Sequence, residues 1–227
     1  MKKVILVISA LLLAAALFFG WKVFGSATNF KEDKKYLYIS TGKASKEAVL
    51  TILKDSSFIN NIPLFEMLGS RMNLWNRLRP GKYEIKKGTS LISLVRKLRN
   101  SVQTPVNLTI TKLRTKKDLA SLIGRKFETD SAAVMQFISN NDSLQSLGLD
   151  TNTMITAVLP NTYSLLWNTS PAKIVSKLNE QKIKFWTAER KQKAQQLGLT
   201  PEEVHVIASI VEEETLRHDE KSIIASI

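Results

Sequence analysis

The longest apolar stretch lies at the N-terminus, where Met1-Lys2-Lys3 is followed by Val4 to Trp21, all apolar or small, and closed by Lys22. At about 1.5 Å per residue a helix of that length rises about 27 Å, close to a hydrocarbon core of roughly 30 Å. With Lys2 and Lys3 retained inside, the rest of the chain is expected on the extracytoplasmic, periplasmic side. A cleaved signal peptide is the competing reading, but its apolar stretch usually runs to about 7 to 15 residues before a small-x-small site. Here the run is longer, and the bulky Phe18, Phe19, Trp21 and Phe24 stand where cleavage would fall. The arrangement expected is a single-pass anchor over residues 1–24 in the cytoplasmic (inner) membrane.

Residues 25–35 are polar and without periodicity, and read as a linker. Beyond them Tyr36-Leu37-Tyr38-Ile39 alternates as a short strand. Ser45 to Asp55 places Val49, Ile52 and Leu53 on one helical face, and Ile62 to Met72 continues as a second helix. A turn at Pro80-Gly81 leads into a strand over Lys82 to Ile85. That order, strand, helix, helix, strand, makes a small α+β unit, assigned here to residues 36–104. Thr89 to Arg99 follows with Leu91, Ile92, Val95 and Leu98 at helical spacing, then a strand from Val106 to Ile110 and a helix from Thr115 to about Lys126. Residues 105–227 read as more helical, through Asp130 to Asn140, Pro171 to Leu178, and an amphipathic, basic helix over Lys182 to Leu197. The face formed by Lys182, Lys184, Arg190, Lys191 and Lys193 is expected to be solvated.

Composition narrows the chemistry. In 227 residues the net charge is +13, spread along the chain, which favours an anionic partner without naming it. There is no cysteine, so a disulfide framework, a thiolate metal site and a cysteine nucleophile are all excluded. His205 and His218 would stand about 140° apart on one helix, which argues against a two-histidine metal site. No metal and no cofactor is expected. No aromatic-interleaved basic motif or recognition helix points to nucleic acid.

The C-terminal segment is the most informative. Thr200-Pro201-Glu202-Glu203 combines an N-cap, a proline at the first helical position and a glutamate placed to close a capping box, so a helix is predicted from there to about Leu216. At about 100° per residue from Val204, Ile210, Ile207 and Val211 fall near 240°, 300° and 340°. Glu214 falls near 280°, inside that apolar stripe, whereas Glu213 and Glu212 fall near 180° and 80°, toward the edges. A carboxyl among apolar neighbours keeps its proton near neutral pH, the property needed to protonate a departing sugar oxygen. The plain alternative is that Glu214 pairs with a basic residue or reaches solvent at the helix end.

The residues around it have a known likeness. Ala208-Ser209-Ile210-Val211-Glu212-Glu213-Glu214-Thr215 resembles the Ala-Ser-Ile-Val-Glu-Lys-Glu-Thr signature of the MltG (YceG-like) endolytic murein transglycosylases. Leu159-Pro160-Asn161-Thr162-Tyr163 is similar to that family's Pro-Asp-Thr-Tyr element, and Arg79-Pro80-Gly81-Lys82-Tyr83 to the Ala-Gly-Thr-Tyr turn of its LysM-like subdomain. The resemblance implies an N-terminal anchor, a LysM-like β-α-α-β subdomain and the beginning of a mixed, helix-rich catalytic domain. It implies Glu214 as the catalytic residue, with Glu212, Asn161, Tyr163 and Thr215 as substrate-binding candidates. The implied reaction cleaves the MurNAc-GlcNAc β-1,4 bond within peptidoglycan glycan strands and leaves 1,6-anhydro ends, terminating strands. Glu213 stands where the family has lysine, and Asn161 where it has aspartate. Ser222 to Ile227 reads as a helix cut short, and the family continues into an Asn-Arg-Leu stretch and a Leu-Gln-x-Asp-Pro-Thr motif; an N-terminal fragment with an incomplete site is therefore expected. The expected partners are glycan strands, the membrane and peptidoglycan synthases, with no nucleic acid. A non-catalytic peptidoglycan-binding or divisome scaffold is the alternative from a different class.

Overall fold

A computed structural model describes residues 2–226 of the chain. It is a mixed, helix-rich α+β structure that divides into two compact units: the chain up to Pro105 with Leu166–Asn168, and Val106–Leu165 with the chain from Thr169 onward.

The first unit opens with α1 (Lys2–Phe24), the one helix among the described residues long and apolar enough to cross a membrane, a criterion that a signal sequence near the N-terminus can also meet. Then come β1 (Lys34–Ile39), α2 (Lys46–Asp55), α3 (Ile62–Arg71), β2 (Gly81–Lys86) and α4 (Leu91–Arg99). The expected order of strand, helix, helix, strand is therefore present. Local chemistry starts α2, α3 and α4: Ser45, Asn61 and Ser90 side chains accept from the backbone amides of Ala48, Leu64 and Ser93, meeting donors that a helix start leaves unpaired. The strands pair antiparallel, from Lys34 opposite Lys86 to Ile39 opposite Gly81. Their alternation turns Leu37, Ile39, Tyr83 and Ile85 inward against Val49, Leu53, Phe65, Leu91, Leu94 and Leu98. Gly81 permits the turn into β2: its φ is +149°, and a Cβ there would overlap the Gln103 side-chain amide. Residues 25–33, read as a linker, form no helix or strand, yet they are hydrogen-bonded into this unit, and Ala27 is buried.

The second unit contains β3 (Val106–Ile110), α5 (Lys116–Lys126), α6 (Ser131–Ile138), α7 (Asn141–Gln145), a 3-10 turn (Met154–Ala157), β4 (Asn161–Leu165), α8 (Pro171–Phe185), α9 (Ala188–Gln196), α10 (Pro201–Glu214) and α11 (His218–Ile224). β3 and β4 pair antiparallel, Val106 opposite Leu165 and Ile110 opposite Asn161. Leu108, Leu119, Ile123, Val134, Ile138, Met154, Tyr163, Ile174 and Leu178 form the core. Gly124 lets α5 approach α6, since a Cβ there would lie 2.6 Å from the Ser131 amide nitrogen.

Three readings need correction here. Strand β4 has no counterpart in the sequence pattern, because Asn-Thr-Tyr-Ser-Leu carries little strand signal of its own and is extended by pairing with β3. The helix expected over Lys182 to Leu197 is two helices. Thr187 breaks it, its hydroxyl accepting from the Arg190 amide to start α9. And Lys182 does not belong to a solvated basic face: it is buried on the inner side of α8 with Ile174, Val175 and Leu178.

Candidate active site

The helix carrying the candidate carboxylates is fixed at its start by local bonds. In α10 the Thr200 hydroxyl accepts from the Glu203 amide at 3.2 Å, and Glu203 Oε2 accepts from the Thr200 amide at 2.7 Å. These bonds hold the Glu203 carboxyl below its usual range, the Thr200 backbone amide contributing most. One residue earlier, Glu202 reaches back to α8. Its Oε1 accepts from Lys182 Nζ at 2.6 Å, and the same ammonium donates to Thr156 Oγ1 at 2.9 Å. The Lys182 ammonium holds the Glu202 carboxyl below the usual carboxylate range, burial opposing it in part. Beside them burial, and then the Lys182 charge, push the His205 imidazole down.

At the other end of α10 the three consecutive acids differ sharply. Glu212 accepts from Lys221 of α11, which lowers its carboxyl pKa. Glu213 is held by two cations, Lys112 Nζ at 2.9 Å and Arg114 Nη2 at 2.8 Å, and is lowered by them in that order. Among the described residues nothing pairs with the Glu214 carboxylate. The helix ends there, with Thr215 extended and buried; its hydroxyl donates to Glu220 Oε2 at 2.7 Å and accepts from the Arg217 amide at 3.0 Å.

The helical wheel places Glu214 on one face with Ile207, Ile210 and Val211, and that relation holds, but of these only Val211 is half-buried and the rest of the face is open. Ile207 is 40% and Ile210 55% exposed, Glu214 is exposed with them, and no residue of α10 is buried. The expectation of a carboxyl enclosed by the protein's own apolar residues is thus corrected. The physical reason is that α10 packs mainly against α9, α11 and the 3-10 turn, and its half-buried residues are Pro201, Glu202, Val204, His205 and Val211.

The other two candidates lie on β4. Asn161 opens the strand, exposed, its Oδ1 accepting from the Thr162 amide at 2.7 Å. It lines a shallow depression of about 400 Å³ with Leu159, Pro160, Gln181, Lys184 and Phe185. Tyr163 points the other way, 3% exposed, and its hydroxyl donates to the Leu159 carbonyl at 2.8 Å; burial pushes the phenol up. Tyr83 makes the equivalent bond to the Arg79 carbonyl in the first unit, so both Pro-x-x-Tyr turns are closed by their own tyrosine. No hydrogen bond or ion pair joins Asn161 or Tyr163 to the α10 carboxylates among the described residues. Sequence reasoning missed Lys112, Arg114, Lys221 and the Lys182–Glu202 pair. Only Lys182 left a signal, since it falls four residues after Leu178 and eight after Ile174 on the buried stripe of α8.

The YceG-like family model matches residues 37–227, nearly the whole chain beyond α1 and the segment that follows it. The chain belongs to the YceG-like family. Among solved structures it is similar to a yceG-like protein from Listeria monocytogenes, at 19% identity and a TM-score of 0.48, over 84% of this chain and 67% of that one. No curated protein sequence matches it.

Proposed function

We propose that this chain is a membrane-anchored, endolytic peptidoglycan lytic transglycosylase, with α1 retained as an inner-membrane anchor and Glu214 as its single acid/base. The observation that carries the reading is the division of labour among the three acids ending α10: Glu212 and Glu213 are tied to cations, and Glu214, on the family's signature string, has no partner among the described residues. A carboxyl with an ion-pair partner is held as a carboxylate and donates poorly, which leaves Glu214 as the acid of the three. Glu214 first protonates the GlcNAc O4 as the bond from the MurNAc anomeric carbon to that oxygen breaks. The carboxylate then takes the proton from the MurNAc C6 hydroxyl as that oxygen closes onto the anomeric carbon. Proton and bonds balance without water, so the second carboxylate that a hydrolase needs for its water or its covalent intermediate has no task here. A glycan strand lying on the Ile207, Ile210 and Glu214 face would displace water from it.

The test is digestion of purified peptidoglycan by full-length protein and by Glu214→Gln, with products read by mass spectrometry. Anhydro-muropeptides from the wild type and their loss in the variant are expected. Normal digestion by Glu214→Gln, or products carrying only reducing ends, would overturn the assignment. Wild-type protein that sediments with insoluble peptidoglycan yet never cleaves it would favour the scaffold reading instead.

A further inference from the structure

The end of α1 is built into the first unit. Val23, in the last turn of the helix, is 4% exposed, and Ala27 is 5% exposed. From there the chain is clamped from two sides. The Asn60 amide donates to the Ala27 carbonyl at 2.9 Å and the Asn29 amide to the Phe58 carbonyl at 3.1 Å, both on the connection between α2 and α3. The Ala27 amide donates to the Thr89 carbonyl at 3.1 Å and the Gly88 amide to Thr28 Oγ1 at 2.9 Å, both between β2 and α4. A segment with that many backbone bonds, one residue of it buried, does not act as a flexible tether. The unit therefore moves with the helix.

Next to this junction a groove of about 380 Å³ runs between two helices, walled by Phe18, Phe19 and Lys22 of α1 and by Asn61, Pro63, Leu64 and Met67 of α3. Pro63, Met67 and Arg71 follow one another at four-residue spacing along the exposed side of α3, apolar beside α1 and cationic at the far end. On α1 the apolar run closes at Trp21 and Lys22, so Phe18 and Phe19 lie about 3 to 5 Å inside it along the axis. We infer that the first unit is seated on the bilayer through the Pro63, Leu64 and Met67 edge of α3, with a phospholipid acyl chain filling the groove between α3 and α1.

This rests on the reading of α1 as a retained anchor. Given a spanning α1, its rigid junction sets the depth of everything beside it. The groove's α1 wall is then already in lipid, so acyl chains reach the groove by continuity and cover Met67, which the protein itself leaves 42% exposed. Trp21 takes the interfacial position that its amphipathic ring favours, and Lys22 and Arg71 reach the phosphate layer, where their charges are attracted to the headgroup phosphates. The consequence is that the first unit has one height above the membrane.

The chain has no cysteine, so a single introduced thiol carries a unique label. Full-length Met67→Cys and Leu12→Cys, each bearing an environment-sensitive fluorophore, are reconstituted in phosphatidylethanolamine and phosphatidylglycerol vesicles. Nitroxide lipids labelled just below the headgroup or at mid-chain, and aqueous iodide, serve as quenchers. The label at position 67 is expected to be quenched several-fold more by the shallow nitroxide than by iodide, and the label at position 12 by the deep one. Iodide quenching at position 67 without nitroxide quenching, while position 12 remains in lipid, overturns the seat and leaves the anchor standing. Protection at position 67 from both quenchers also overturns it, because a protein then covers the edge. Failure of the deep nitroxide at position 12 overturns the anchor reading and the seat with it.

Discussion

The Lys182–Glu202 pair is the sharpest place to test how this fold handles buried charge. Its Nζ and Oε1 lie 2.6 Å apart, with side chains 10% and 38% exposed, so the ammonium is out of water and the carboxylate is at its edge. Glu202→Ala strands that ammonium with one hydroxyl, Thr156 Oγ1, as its protein partner. Breaking a fully buried pair costs about 3 to 5 kcal/mol; with one partner partly solvated, a loss of about 2 kcal/mol is expected. Lys182→Met removes the charge together with its desolvation cost and keeps most of the side chain's bulk. Thr156 is not orphaned, because its hydroxyl already donates to the Thr153 carbonyl at 2.6 Å. That substitution should cost no more than about 1 kcal/mol. Urea denaturation of both variants and of the double variant measures the asymmetry.

Two pH readings accompany it. The folded Glu202 carboxyl lies below its unfolded value of about 4.3, so its contribution is fully present above that pH and is lost as pH falls through the folded pKa. Lys182→Met should remove this acid-limb contribution. It should also raise the His205 pKa, since after burial the Lys182 charge is what pushes it down, and His205 is one of only two histidines to follow by proton NMR. If Lys182→Met costs as much as Glu202→Ala, the pair stabilises the fold outright and the reasoning is wrong.

Three further substitutions probe other parts of the molecule. Gly81→Ala forces a side chain into a positive φ and against Gln103, and should cost about 1 to 3 kcal/mol by thermal denaturation, with Gln103→Ala restoring only part. Tyr163→Phe leaves the Leu159 carbonyl unpaired and should cost about 0.5 to 1.5 kcal/mol; glycan cleavage that falls at temperatures where the variant is fully folded would give Tyr163 a role beyond closing its turn. Glu213→Lys, which installs the family's usual residue, sets a third cation beside Lys112 and Arg114. At so exposed a site it should lower stability only slightly in a denaturant titration, and the loss should shrink in high salt.

What can be read from the sequence is local. The start of α10 is legible because Thr200, Pro201 and Glu203 satisfy one another within a single turn, whatever packs around them. The starts of α2 at Ser45 and α5 at Thr115 follow the same rule, and the Thr187 break between α8 and α9 obeys it too, though the basic, amphipathic pattern running through it hides the break. Strands β1 and β2 show because Leu37, Ile39, Tyr83 and Ile85 alternate with polar residues against one core. Strand β4 does not, since its extended state comes from β3, some fifty residues away along the chain.

Glu214 and Lys182 show where that legibility stops. The helical wheel places Glu214 with Ile207, Ile210 and Val211; the basic pattern assigns Lys182 to a solvated face, although the same repeat sets it beside Ile174 and Leu178. Each angular relation is present in the structure, yet the lysine is buried and the glutamate is exposed. Angular position on a helix is a property of the chain alone, fixed by the helical repeat of about 3.6 residues per turn. Burial, and with it each carboxylate's partner, is a property of what lies opposite: Lys112 and Arg114 for Glu213, Lys221 for Glu212, and no described side chain for Glu214. The sequence therefore determined which residues share a face, and only the tertiary structure decided which faces are covered.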